Sequence, residues 1–203
     1  MFLKLEIRNT NCMKLILNIV LALIIVALVY FLIASIQEPI EFQNEKERRS
    51  SLVIDQLREI REAQQMFRDI RGIFADNFDT LIHVLQTDSF NRIVLLGDPD
   101  DPTSDAIIRD TTRISALDSV NAIGMNLERL PFVPFTDDMK FFVRADTITH
   151  QQTLSPVVEV GIKWKEFMGP YADPSFRKYD YRYNPEGVLR FGDMNTPNLA
   201  GNW

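Results

Sequence analysis

The chain is poor in the residues that usually carry chemistry. Its 203 residues include one cysteine and two histidines. Cys12 has no second thiol to pair with, which excludes an internal disulfide and a thiolate zinc site. His83 and His150 lie far apart in sequence, with no spaced carboxylate pair beside either, so no metal site is expected at them. There is no glycine-rich phosphate loop, no nucleophile elbow and no histidine–carboxylate spacing of use. The sequence is therefore expected to be non-enzymatic, with no cofactor and no small-molecule substrate.

Positive charge is also scarce where it would matter for nucleic acid. Of 22 Lys and Arg and 28 Asp and Glu, only Lys4, Arg8, Lys14 and Glu6 precede Gln37, so the rest of the chain carries a net −8. An acidic body is repelled by a phosphate backbone and by an anionic membrane surface. One acidic cluster stands out, GDPDDPTSD, with Asp98, Asp100, Asp101 and Asp105. Such oxygen-rich loops can hold calcium, but the spacing does not match an EF-hand. A solvated Pro-Asp turn is expected, with calcium as the alternative.

One long hydrophobic run dominates what is present. Leu15–Ile36 reads LILNIVLALIIVALVYFLIASI, 22 residues without a charge. At 1.5 Å per residue such a helix spans about 33 Å, enough for a bilayer core of about 30 Å. A signal peptide has a shorter apolar region and a small-residue cleavage site, and none is evident before Gln37. The expectation is a retained single-pass anchor. It has a cytoplasmic leader over 1–14, a span over 15–36 and an exported body. Asn18 is the polar group placed to bond a neighbouring helix within the span.

Pro39 is expected to kink or interrupt the helix just beyond the bilayer. From Glu41 to Arg71 no Gly or Pro occurs. Val53, Leu57, Ile60, Ala63 or Gln64, Phe67, Ile70 and Phe74 recur at steps of three and four, an apolar stripe over about three heptads. The stripe can pack on a sheet of the same chain or form a seam with another helix. Below it, EFQNEKERRS is highly charged and suits registration against neighbouring helices. Gly72 suits a C-cap, and Asp76 or Asn77 can cap a short helix with Phe78, Leu81, Ile82 and Leu85 inward.

The remainder reads as strands: Asn91–Leu96, Ala106–Ala116, Lys140–Thr149 and Val157–Lys165. In the last, Val158, Val160, Ile162 and Trp164 share one face, with Glu159, Lys163 and Lys165 on the other. Tyr179, Tyr181 and Tyr183 alternate before Asn184-Pro185-Glu186-Gly187, which predicts a β-hairpin. Helices followed by antiparallel strands make an α+β arrangement. The boundaries are an amphipathic helix over 37–75 and an α+β body over 76–203. Trp203 closes the polar tail NTPNLAGNW and can pin the tail or dock a partner.

The layout resembles a type II secretion pseudopilin or type IV pilin. The resemblance rests on the apolar span, Pro39, the amphipathic continuation and IREAQQMFRDIRGIFADNFDTLIHVL. It implies a pilin-like fold, residence in a bacterial inner membrane with the body in the periplasm, and a structural role in a secretion or pilus-type assembly. Partners are then the lipid bilayer, other membrane or envelope proteins and further copies of the chain. Val53, Leu57, Ile60, Phe67, Ile70 and Trp203 are the candidate association residues. The chain departs from that family in having Met13-Lys14 before the span and no acid within it. EPIEFQNEKERR, IIRDTTRIS and AGNW also look like segments of an uncharacterised group of membrane-anchored envelope proteins from Bacteroidota-type bacteria. The alternative is a membrane-tethered periplasmic adaptor that binds another protein through its sheet edge or tail.

Overall fold

The computed structural model describes residues 2–96 and 108–203, with backbone alone for 2–13, 34, 91–96 and 108–112. The loop holding Asp98, Asp100, Asp101 and Asp105 lies outside the described residues. The chain divides into two compact units, residues 1–46 and 47–203.

The first unit is helical. Helix α1 is assigned from Phe2 to Arg71, and its run does not stop at Pro39. The expected interruption is thus absent. Proline in a helix removes one backbone hydrogen bond, and the bonds on either side carry the helix past it. An 18-residue window of α1 has a mean hydropathy of 3.1 and none of it is buried, so the helix is long and apolar enough to cross a membrane.

The second unit is α+β. It contains the last part of α1, then α2 (Phe78–Thr87), β1 (Ser89–Leu96), β2 (Ile108–Ser115) and α3 (Ala116–Ile123). After these come β3 (Phe142–His150), β4 (Thr153–Lys163), α4 (Trp164–Met168) and β5 (Val188–Gly192). Strands β1 and β2 form an antiparallel pair from Ser89 opposite Ser115 to Leu96 opposite Ile108. A second antiparallel sheet has the order β3-β4-β5.

The apolar stripe makes the core. Val53, Leu57, Ile60, Ala63, Gln64 and Phe67 are buried, and so is Phe74. Ile70 is half-buried, at the margin of the stripe. Each buried aliphatic or aromatic side chain contributes about 1.5–3 kcal/mol. This face of the helix is taken up by its own body, the first of the two uses open to it. The charged segment below it is also engaged. Arg49 donates to the Phe167 carbonyl at 2.7 Å, and the Arg48 and Arg49 guanidiniums each lie 5.0 Å from the Phe135 ring centre.

At the end of α1, Gly72 takes a left-handed conformation (φ 78°) and its N–H donates to the Arg68 carbonyl. Asn77, rather than Asp76, caps α2, its Oδ1 accepting from the Thr80 N–H at 2.7 Å. Phe78, Leu81, Val84 and Leu85 are buried. Val84 takes the inward place expected for Ile82, which is half-buried, while His83 is exposed.

Three expectations for the second half are corrected, and Glu159 adds a buried charge. The strand expected to end at Ala116 stops at Ser115, and Ala116 begins α3. Trp164 and Lys165 belong to α4, whose start is marked by the Lys163 N–H donating to the Glu166 carboxylate at 3.1 Å. Glu159 is buried, because β4 is covered on both faces through Val157, Val158, Val160 and Ile162. Tyr179–Tyr183 form no strand. The Asn184–Gly187 turn is present, with the Gly187 N–H donating to the Asn184 carbonyl at 2.9 Å. Strand β5, which follows it, pairs with β4 instead.

Candidate functional site

The three-stranded sheet offers two edges, and they are treated differently. Strands β3 and β4 are joined by Gln151 and Gln152, with φ of 46° and 65°. Two left-handed residues in a two-residue loop make a type I′ turn. Such a turn makes His150 and Thr153 a hydrogen-bonded pair, and pairing alternates from there. Ile148, Asp146, Arg144 and Phe142 therefore bond toward β4. Val143, Ala145, Thr147 and Thr149 turn their backbone groups outward. Pro156, which has no N–H to give, sits opposite Thr147 where none is needed.

The β5 edge is closed by the chain's own tail. The Gly192 N–H donates to the Ala200 carbonyl at 2.9 Å, and the Asn202 N–H to the Arg190 carbonyl at 3.1 Å. The Asn202 side chain completes the contact, accepting from the Arg190 N–H at 2.9 Å and donating to the Val188 carbonyl at 2.7 Å. Gly201 bridges Phe191 in antiparallel sense. The tail is thus a short fourth strand. At the end of β5, Gly192 fits closely against β4: φ is 77°, and a Cβ there would collide with the Val158 carbonyl. Trp203 is partly exposed, and its ring lies against Gly201.

Among the described residues, the outer edge of β3 has no strand partner. Its Thr147 N–H is held by the neighbouring Asp146 carboxylate at 2.7 Å. Beside this edge runs a groove of about 270 Å³ whose lining includes Phe67, Ile73, Phe74, Ala145 and Thr147. Ile73 is 52% exposed.

Charge is organised across the sheet. The Glu159 carboxylate accepts from Arg190 and pairs with Arg144 at 3.4 Å, so its buried charge is met from both neighbouring strands. Lys165 and Lys163 hold Glu186 at 2.7 Å and 3.3 Å on the Asn184–Gly187 turn, and these hydrogen bonds keep its carboxyl below the usual range. Tyr183 is buried, donates to the Tyr171 carbonyl at 2.8 Å and has its pKa pushed up to about 12 by burial. Trp164 packs on its ring edge to face, with centroids 6.0 Å apart.

Of the sequence candidates, Val53, Leu57, Ile60 and Phe67 lie together in the core, while Ile70 is at its margin and Trp203 is on the tail strand. Asn18 is exposed and Pro39 half-buried in the first unit. The tail strand itself had no sequence signal beyond Trp203. Among the described residues no three His, Cys, Asp or Glu side chains gather as metal ligands. The chain matches no protein-family model, no curated protein and no solved structure.

Proposed function

We propose that the protein is a non-enzymatic, single-pass envelope protein, a pseudopilin-like structural subunit of a secretion or pilus-type assembly. Its body faces the periplasm and its anchor lies in a bacterial inner membrane. The observation that carries this reading is the form of α1. One helix is apolar and unburied through Leu15–Ile36, then amphipathic and buried against an antiparallel body through Val53–Phe67. A helix of that kind tethers a folded body to a membrane and leaves its apolar part to lipid or to other helices.

The alternative is a membrane-tethered adaptor that binds another protein. The unpartnered edge of β3 favours it, since an extended segment can add to such an edge through main-chain bonds. Native mass spectrometry of the full-length chain in mild detergent separates the two. A structural subunit gives assemblies of several copies or of related membrane proteins. An adaptor gives one copy with one unrelated partner, and that result overturns the first reading.

A further inference from the structure

The order of strands, with the tail counted, is β3-β4-β5-tail. Each neighbour is antiparallel, so the first and fourth strands run in opposite directions. The two edges of the sheet are therefore antiparallel to each other. A second copy, moved sideways without rotation, would bring its β3 against the tail of the first in a regular antiparallel ladder.

A membrane-anchored chain needs that lack of rotation. Arg49 bonds the Phe167 carbonyl beyond the end of β4, whereas Arg68 lines a groove with Ser155 and Pro156 near its start. The last part of α1 thus runs along the sheet, antiparallel to β4. Pairing β3 with β3 uses a two-fold axis perpendicular to the sheet and reverses α1. The Glu47 ends of the two bodies would then lie at opposite ends of the pair, whereas a shared membrane tether favours both on the same side. Head-to-tail pairing keeps both copies pointing the same way, with a repeat of roughly 19 Å for four strands.

The side chains agree with this placement. Ala200 and Asn202 turn their backbone groups to β5, so Gly201 faces outward. Gly201 shares a face with Phe191, which pairs with Val160, and Trp203 follows on that same face. Ala145 pairs with Val158 and lies on the same face of β3, beside the groove that includes Phe67 and Ile73. Setting Gly201 opposite Thr147 sets Trp203 opposite Ala145, a small side chain next to a groove whose apolar wall is Phe67, Ile73 and Phe74 and whose polar wall includes Asp76 and Thr80. Asn202 then falls opposite Asp146, which can bond its amide and release the Thr147 N–H to the ladder. No side chain in Met194–Trp203 is charged, so the tail's side chains bring no like charge to an edge bearing Arg144 and Asp146.

We infer that copies of the chain associate side by side, the tail edge of one adding to β3 of the next and its Trp203 filling the groove beside Ala145. The inference rests on the structural-subunit reading for its tether. Four residues of strand and one indole bury far less than the roughly 1,200 Å² of a standard stable interface. The shared membrane supplies the effective concentration that the contact needs.

The test is oxidation of full-length protein in native membranes, with Cys12→Ser as background and the substitutions Ala200→Cys and Ile148→Cys. These positions are opposite each other in the stated register. The double variant gives a ladder of dimer, trimer and higher species, and either single variant gives none. Adding Trp203→Ala or Ala145→Arg lowers the ladder at least tenfold. Dimers from Ile148→Cys alone would mean two-fold pairing of β3 and would overturn the inference. No ladder, while cysteines at 41–51 still crosslink, overturns the inference and leaves the assembly reading standing. No crosslink at either place removes both.

Discussion

Gln64 is fully buried in the apolar stripe, and its replacement tests how the end of α1 is held. Its Nε2 donates to the Ala75 carbonyl at 3.0 Å, and its Oε1 accepts from the Ala75 N–H at 2.9 Å. Ala75 is itself 2% exposed, so these backbone groups have no water in reach. Gln64→Leu keeps much of the volume and strands one buried donor and one buried acceptor. Each costs about 1–3 kcal/mol. The apolar replacement regains part of this, so a net loss of about 2–4 kcal/mol is expected. Gln64→Glu is more informative. The carboxylate still accepts from the Ala75 N–H but opposes its carbonyl oxygen, and burial raises its folded pKa above the unfolded value of about 4.3. The folded state then binds the extra proton more tightly. The variant is least stable at pH 7 and regains stability as pH falls through the folded pKa, where the protonated acid can donate as the amide did. Urea unfolding of the detergent-solubilised chain, followed by fluorescence of Trp164 and Trp203, reads both effects. A Leu variant within about 0.5 kcal/mol of the parent, or a Glu variant indifferent to pH, would refute the reasoning.

Replacing Leu57 or Ile60 by Ala should cost about 2–5 kcal/mol each, and Glu62→Ala, on the exposed face, under about 0.5 kcal/mol. Equal melting temperatures would remove the argument from the stripe. Tyr183 has a folded pKa of about 12, above the ordinary tyrosine value. The stability it contributes is present below pH about 10 and is lost as pH rises through about 12. Tyr183→Phe should flatten that alkaline loss, and ultraviolet titration of the parent should show a late phenol that this variant lacks. Carbonate washing of membranes should leave the full-length chain in the pellet; a soluble species beginning near Gln37 would contradict retention of the anchor.

The helical half was legible because periodicity is a local record of burial. Val53, Leu57, Ile60 and Phe67 are spaced for one face of a helix, and that face is buried. Gly72 and Asn77 carry their own conformational preferences, so the end of α1 and the start of α2 could be read from single residues. Pro39 does not interrupt the helix, because one lost hydrogen bond leaves the remaining bonds intact. Strand β4 was legible in part. Alternation of Val158, Val160 and Ile162 put Glu159 on the opposite face, but it could not show that Arg190 and Arg144, from other strands, allow Glu159 to be buried there. No local pattern reveals a partner that distant in sequence. Tyr179–Tyr183 alternates like a strand, but the place beside β4 is taken by β5. The tail strand was least legible. Its pairing depends on Gly192 turning the chain and on Asn202 mimicking a backbone partner, and neither has a periodic signature. Of the candidate site, only Trp203 could be named in advance.

Full-length copies are proposed to meet in the membrane as subunits of one assembly. Single cysteines placed in turn along Glu41–Ser51, in a Cys12→Ser background, and crosslinked in native membranes test it most directly. A subset of these positions, recurring every three or four residues, is expected to join the chain to another copy or to a related membrane protein. Failure of every position to capture any protein would contradict it and leave a solitary tethered protein in its place.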